Sequence, residues 1–267
     1  MSDVWLIVLT LAVGFVTGTL AGAFGVGGAV ISNPGVRALG ASPLEAVGST
    51  LPSIIPSSIT GSIRYARAGL IRPRVVLVTG GAGAAASIGG AIVADQVPGD
   101  GHLLMLVVAG LMGFTALRML RSPSAAEQTG VEHLPPTVLD ERWWKLGVIG
   151  VIAGALSGLL GIGGGILMVP LFTMWLRLDV KQAIGTSLAC VGFLAIPGTI
   201  THSILGHVRW LYAIPLALGA IPGAWLGARI TIGAKEHTVR LVVGVLLAAI
   251  AVVYGAIELI ALVRSTG

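Results

Sequence analysis

The sequence predicts an all-α polytopic membrane protein, with about eight transmembrane segments in two homologous four-segment repeats that contain broken or re-entrant glycine-rich helices. Three observations predict it. Hydrophobic residue types make up 55% of the 267 residues and charged types only 10%. One pattern of glycine, proline and hydroxyl residues occurs twice in the same order. Two apolar runs are longer than one crossing needs and carry consecutive glycines in their middle.

A soluble domain averages roughly 25% charged residues. A chain with mean hydropathy +0.96 cannot cover itself in water. A spanning helix needs about 20 mostly apolar residues. Apolar stretches run near 4–31, 43–63, 75–94, 101–120, 145–176, 180–204, 210–232 and 237–263. The 40 glycines fit close helix packing and broken helices in lipid. The opening Met-Ser-Asp-Val-Trp lacks the basic start of a cleaved signal peptide, so the first segment is expected to remain as a transmembrane helix. The net charge of +5 comes from Lys and Arg in short connections, a topology signal rather than a nucleic-acid footprint. Eight simple crossings would place ten of these residues on one side and six on the other, with both termini cytoplasmic. Trp5, Trp143, Trp144 and Trp210 fall at segment edges, as in an aromatic belt. The single Cys190 excludes a disulfide framework within one chain and any CxxC site.

The repeat is visible directly. Leu20-Ala-Gly-Ala-Phe-Gly-Val-Gly-Gly-Ala-Val-Ile-Ser-Asn-Pro34 returns 136 positions later as Leu156-Ser-Gly-Leu-Leu-Gly-Ile-Gly-Gly-Gly-Ile-Leu-Met-Val-Pro170. After one residue of slip, Glu45-Ala-Val-Gly-Ser-Thr-Leu51 matches Gln182-Ala-Ile-Gly-Thr-Ser-Leu188, and Gly69-Leu-Ile-Arg72 matches Gly206-His-Val-Arg209. The expected organisation is a first membrane repeat over 1–121, a polar linker over 122–142 and a second membrane repeat over 143–267. Four crossings per half would make the repeats parallel, and one re-entrant element in each would make them inverted.

The glycine clusters are the first candidate site. Gly25, Gly27 and Gly28, and then Gly163, Gly164 and Gly165, lie in runs that end at Pro34 and Pro170. Glycine costs about 1 kcal/mol relative to Ala in a helix, and proline removes a donor, so these runs are expected to unwind. Unwound backbone at membrane depth exposes N–H groups, and the following helix N-terminus adds positive dipole character. That combination takes an anion without a charged side chain. The same glycines also suit plain close helix packing. Hydroxyls at Ser49, Thr50 and Ser53 in the first half and at Thr186 and Ser187 in the second sit in proline-broken segments, with Cys190 nearby. Such hydroxyls suit anion oxygens, or bond back to their own helix.

The two glycine-rich stretches, each followed by Pro and then by a Gly-Ser-Thr or Gly-Thr-Ser segment, resemble the TauE/SafE family, also called the sulfite exporter family. The resemblance covers nearly the whole chain. It implies a permease of about eight helices for small sulfur-containing anions such as sulfite, sulfoacetate or other organosulfonates, with export the usual assignment and the bacterial inner membrane the usual home. The first copy departs from the fuller pattern: Ala29 stands where the second has Gly165, and Asn33 where it has Val169.

Other residues carry less. His202 and His207 are read as a loop pair without a metal shell, since no Cys, Asp or Glu lies nearby. Glu258 is read as snorkelling to the interface, and Glu45 as compensating a helix dipole. Trp225 either packs or gates. No zinc motif, GxSxG or phosphate-binding loop supports an intramembrane enzyme acting on lipid, and no metal or other cofactor is expected. A passive anion channel would use oligomer symmetry or rings of charge, whereas this chain has its own repeat and few charges. The expected partners are the anion substrate and the bilayer, with coupling to protons or to the membrane potential.

Overall fold

The computed structural model describes residues 3–94, 110, 113, 114, 116, 117, 143–161 and 163–235, and beyond them 237–239, 241, 242, 244–246, 248, 249, 251–253, 255 and 256. Among the described residues all regular structure is helical. The chain divides into two compact units, one of residues 1–96 with 144–233 and one of residues 97–143 with 234–267.

The first unit holds the glycine breaks. In chain order it contains α1 (Asp3–Phe24), α2 (Ala29–Ala38), α3 (Pro43–Arg67), α4 (Pro73–Ala94), α5 (Trp143–Leu160), α6 (Gly165–Trp175), α7 (Val180–Ile204) and α8 (Trp210–Gly233). Five of these, α1, α4, α5, α7 and α8, are long and apolar enough to cross a membrane. The helix α3 is as long as α7, at 25 residues, but carries Glu45, Arg64, Arg67 and a run of hydroxyls. In the second unit the described positions include an apolar helical stretch within His237–Val253. The expected segments near 101–120 and 237–263 lie mostly outside the described residues, as do the linker 122–142 and Glu258.

The long apolar runs at 4–31 and 145–176 break where their glycines fall. The pieces after the breaks, α2 and α6, have 10 and 11 residues. At a rise of about 1.5 Å per residue they reach roughly half the thickness of a hydrocarbon core. The helix α2 folds back along α1: an added Cβ on Gly28 would stand 2.8 Å from Thr17 O, and one on Gly35 2.8 Å from Val13 Cγ1.

Glycines also set the helix pairs. A Cβ on Gly14, Gly18 or Gly22 of α1 would fall inside the carbonyl oxygens of Leu216, Ala220 and Ala224 on α8. A Cβ on Gly150, Gly154 or Gly158 of α5 would fall inside those of Thr79, Gly83 and Ser87 on α4. Backbones this close gain dispersion along their whole length, which drives association in lipid where no hydrophobic effect operates between helices. The sides facing away are apolar and open: Val4, Leu77, Ile204 and Leu218 are each more than half exposed. In water such a surface would aggregate, and against acyl chains it is the required one.

Helix ends are closed locally. Ser42 and Glu45 form a capping box at α3, with the Glu45 carboxylate accepting from Ser42 N–H at 2.9 Å. This assigns Glu45 a specific role in the first turn. At its far end α3 stops with Gly69 at φ +70° and Leu70 N–H donating to Tyr65 O at 2.9 Å. The helix α7 stops the same way, with Gly206 at φ +77° and His207 N–H donating to His202 O at 2.9 Å. Both are Schellman ends that need glycine in the left-handed region.

Replacing Gly18 or Gly154 by Ala is expected to destabilise the folded protein by about 1–3 kcal/mol through overpacking. Gly147→Ala, where the added Cβ meets nothing within 4 Å, is expected to be neutral or stabilising. Thermal melts of the purified variants in detergent check this, and equal losses at all three positions would remove the close-approach account.

Candidate functional site

The site begins with the two breaks. Gly25 and Gly27 have φ of +68° and +65°, and Gly161, Gly163 and Gly164 have +64°, +75° and +67°. A Cβ in this region costs about 1–2 kcal/mol, which is why the chain can leave the helix here. The breaks lie against each other: an added Cβ on Gly163 would stand 3.7 Å from Gly27 Cα, and one on Gly165 2.8 Å from the carbonyl carbon of Val26. Each break is also clasped by the long helix of the opposite half of the sequence. Gly25 faces Ile184 of α7, where an added Cβ would be 2.6 Å from its carbonyl oxygen, and Gly161 faces Val47 of α3, at 2.9 Å.

Gly25, Val26, Gly27, Gly161, Gly163, Gly164 and Gly165 are buried. Among the described residues, the N–H groups of Val26, Gly27 and Gly28, and those of Gly163, Gly164 and Gly165, have no hydrogen-bond acceptor. Buried N–H groups are rarely left so. Those at 28 and 163–165 also stand at or just before the N-termini of α2 and α6, where the helix dipole adds positive potential. An apolar cluster of Ala29, Leu51, Ile54, Val191 and Ala195 lies against the crossing, with Ile54 and Val191 both on Gly163. The arrangement can receive a small anion on neutral donors, in a place closed to water in this conformation.

The hydroxyls divide into different roles. Ser187 Oγ donates to Gly25 O at 2.9 Å, with Gly165 O at 3.4 Å, and so ties α7 to both breaks. Thr50 Oγ1 is fully buried and has no partner among the described residues. Ser49 Oγ accepts from Arg209 N–H at 2.9 Å, and Thr186 Oγ1 accepts from Arg72 N–H at 3.2 Å. These two therefore hold the turns that lead into α8 and α4. Ser53 Oγ donates back to Thr50 O at 2.7 Å. Cys190 is a buried free thiol on α7. The structure thus brings the six glycines and Ser187 together and places Ser49 and Thr186 on the latch between turns.

Sequence reasoning passed over several contacts. Asn33 Nδ2 donates to Leu160 O at 2.9 Å across 127 positions, while its Oδ1 is buried without a partner among the described residues. The signal was its departure from Val169 in the second copy. Ser157 Oγ, one turn before the second break, is likewise buried and unpartnered among those residues. His202 is not in a loop: it lies in the last turn of α7, fully buried. Trp225 lies between Arg64 and Arg229, whose guanidinium carbons stand 4.4 and 5.5 Å from its ring centre. Among the described residues, no group of three or more His, Cys, Asp or Glu side chains is placed to hold a metal ion.

Apolar spans with broken helices enclosing unpaired backbone donors define a class, the polytopic helical membrane transporters. Comparison with known proteins is specific. A family model described as Sulfite exporter TauE/SafE matches residues 10–254, and the chain belongs to that family. A probable membrane transporter protein of Xylella fastidiosa is 28% identical over 254 residues, covering 92% of this chain and 94% of that protein. The probable membrane transporter protein YunE of Bacillus subtilis is 27% identical over 243 residues, covering 84% and 86%. No solved structure matches the chain. The protein is an integral membrane transporter.

Ser187→Ala is expected to lower stability by about 1 kcal/mol, the net value of a buried hydrogen bond. Thr50→Val is expected to leave it unchanged or raised, because the hydroxyl it removes has no partner. Paired melts of the two variants check the assignment, and a larger loss for Thr50→Val would contradict it.

Proposed function

We propose that the chain is a secondary transporter that exports small sulfur-containing anions such as sulfite, sulfoacetate or other organosulfonates, and that it binds them where the two glycine breaks face each other. The observation that carries this reading is the set of buried, acceptor-less N–H groups on both sides of the crossing. A sulfonate or sulfite presents three oxygens and a delocalised charge. Backbone N–H groups and neutral hydroxyls satisfy such oxygens without a buried guanidinium, and ligation of moderate strength lets the substrate leave. Gly25, Gly27, Gly28, Gly163, Gly164 and Gly165 supply the donors. Thr50 and Ser187 supply hydroxyls, Asn33 supplies a further polar group, and Ser49, Thr186 and Ser53 hold the surrounding helices. The buried breaks describe an occluded carrier rather than an open pore.

The same reading takes the chain as one unit duplicated, over 1–121 and 143–267 with the linker 122–142 between. Reciprocal contacts support it. Ser49 with Arg209 answers Thr186 with Arg72, Gly25 with Ile184 answers Gly161 with Val47, and Gly14 with Leu216 answers Gly150 with Thr79. Each partner is displaced by 136 or 137 positions, the spacing of the sequence repeat. The proposed home is the bacterial inner membrane.

Flux into liposomes of sulfite, thiosulfate, sulfoacetate and taurine, with acetate as control, tests the proposal. Saturable movement of a sulfur anion but not of acetate is the expected result, and movement of none of them by folded protein overturns it. In the same assay Thr50→Val is expected to weaken anion binding by about 1.5–3 kcal/mol, the worth of a hydrogen bond to a charged group. Unchanged affinity would place the site elsewhere.

A further inference from the structure

His202 and His207 form a partly buried pair that the proposed anion site does not use. The Nδ1 atoms of the two rings lie 3.0 Å apart, and His202 Nε2 lies 2.8 Å from Gly158 O. A carbonyl oxygen only accepts, so Nε2 of His202 carries a hydrogen. In a neutral His202 the Nδ1 is then a lone pair, and the 3.0 Å contact requires a proton on His207 Nδ1. The same proton serves whether His207 is neutral or charged, so the contact tolerates one added charge. A second charge would set two cations 3 Å apart in a buried place, which is strongly opposed. His202 is fully buried and His207 half-buried, so the pair has an inner and an outer ring.

The equivalent place in the first half holds no titratable pair of this kind. There Tyr65 OH donates to Gly22 O at 2.8 Å, as His202 Nε2 does to Gly158 O, and Leu70 stands where His207 stands. The structural contact is thus met in both halves, by a phenol in one and by an imidazole in the other. Only the imidazole brings a second nitrogen and a second ring.

The surroundings connect the pair to the candidate site. Gly158, the acceptor, lies one turn before the break at Gly161. An added Cβ on Gly48 of α3 would be 2.5 Å from His207 O, and two residues further Arg209 N–H is held by Ser49. Among the described residues, the elements packed about the pair carry several charged groups, with Arg74 at the start of α4. Glu45 of α3 is ion-paired with Arg209 at 3.6 Å, Arg64 of α3 stacks on Trp225, Lys145 of α5 lies over Trp144, and Lys181 at the far end of α7 donates to Ile232 O. Arg67 and Asp179 also lie on or beside these helices, at the end of α3 and before the first turn of α7.

We infer that His202 and His207 are the proton-binding site of this transporter: the transported proton arrives on the outer ring, His207, the Nδ1–H···Nδ1 bond already present shares its charge with His202, and its arrival passes to the break at Gly161 through Gly158. The transporter class is enough for the proton site itself, while its coupling to sulfite flux rests on the proposed function.

Two measurements test it on the full chain in lipid nanodiscs and liposomes. With 15N-labelled histidine, the pair is expected to show the Nδ1–H···Nδ1 bond throughout and to take up one further proton for its two rings as pH falls from about 8 to 5. In liposomes, an imposed pH gradient is expected to raise sulfite flux at least about tenfold, a coupling of 1.4 kcal/mol or more. The double variant His202→Tyr/His207→Leu, which installs the pair found in the first half, is expected to lose both signals. His207→Gln keeps a donor to His202 Nδ1 without the second titrating ring; it serves where the double variant fails to fold, and it is expected to lose the proton uptake of the pair and the gradient response. Independent protonation of both rings, or a full gradient response in His207→Gln, overturns the inference. If the wild type moves no sulfite, the substrate reading fails and the NMR titration decides the proton site alone.

Discussion

Between Phe24 and Ala29, and again between Leu160 and Gly165, the chain abandons helical hydrogen bonds inside an apolar protein. Each N–H or C=O released there costs several kcal/mol if it faces hydrocarbon. The rest of the first unit follows from enclosing those groups. The helices α7 and α3 are pressed against the breaks closely enough that Gly25 and Gly161 admit no Cβ. They hold that position because α1 pairs with α8, and α5 with α4, through glycines spaced four apart. The high glycine content therefore has two uses. At the breaks it supplies positive φ, and on the helices it supplies closeness.

The matching contacts are not identical, and the differences fall near the breaks. Glu45 pairs with Arg209, whereas Gln182, its counterpart, meets Arg72 through an amide oxygen at 3.3 Å. Asn33 reaches Leu160 O, whereas Val169 has no polar atom to offer. Tyr65 and His202 share one geometry with different chemistry. Matching positions in the two halves of the sequence thus share a place in the fold while differing in chemistry. The two breaks therefore face each other with unequal side chains around them, Asn33 on one side and Val169 on the other.

Much of the frame was legible in the sequence because its determinants are local. The glycine clusters and Schellman glycines are read from backbone sterics, and the apolar runs from composition. The fold-back of α2 was not legible, because Ala29–Ala38 is apolar like its neighbours and only its packing on Val13 and Thr17 shows its direction. The hydroxyls were legible as a group but not by role. Ser49 and Thr186 find their partners 160 and 114 positions away, so composition alone could not separate a latch from a ligand. His202 was misread as a loop residue because Gly206 marks an end close by, yet α7 continues to Ile204 and buries it.

The latch roles bear on how such a carrier opens. A movement that separates α3 from the turn at Arg209, or α7 from the turn at Arg72, breaks the bond of Ser49 or Thr186 to that backbone. Each latch is one neutral hydrogen bond, worth about 1 kcal/mol, supplemented by the partly exposed Glu45–Arg209 pair on one side only. The glycine pairs α1–α8 and α5–α4, by contrast, are in contact along whole helices and have no such weak point. The hydrogen bonds that hold α3 and α7 to the paired helices are therefore single ones, the two latches together with Tyr65 to Gly22 O, Ser87 to Leu194 O and His202 to Gly158 O, whereas the paired helices are held along their whole length.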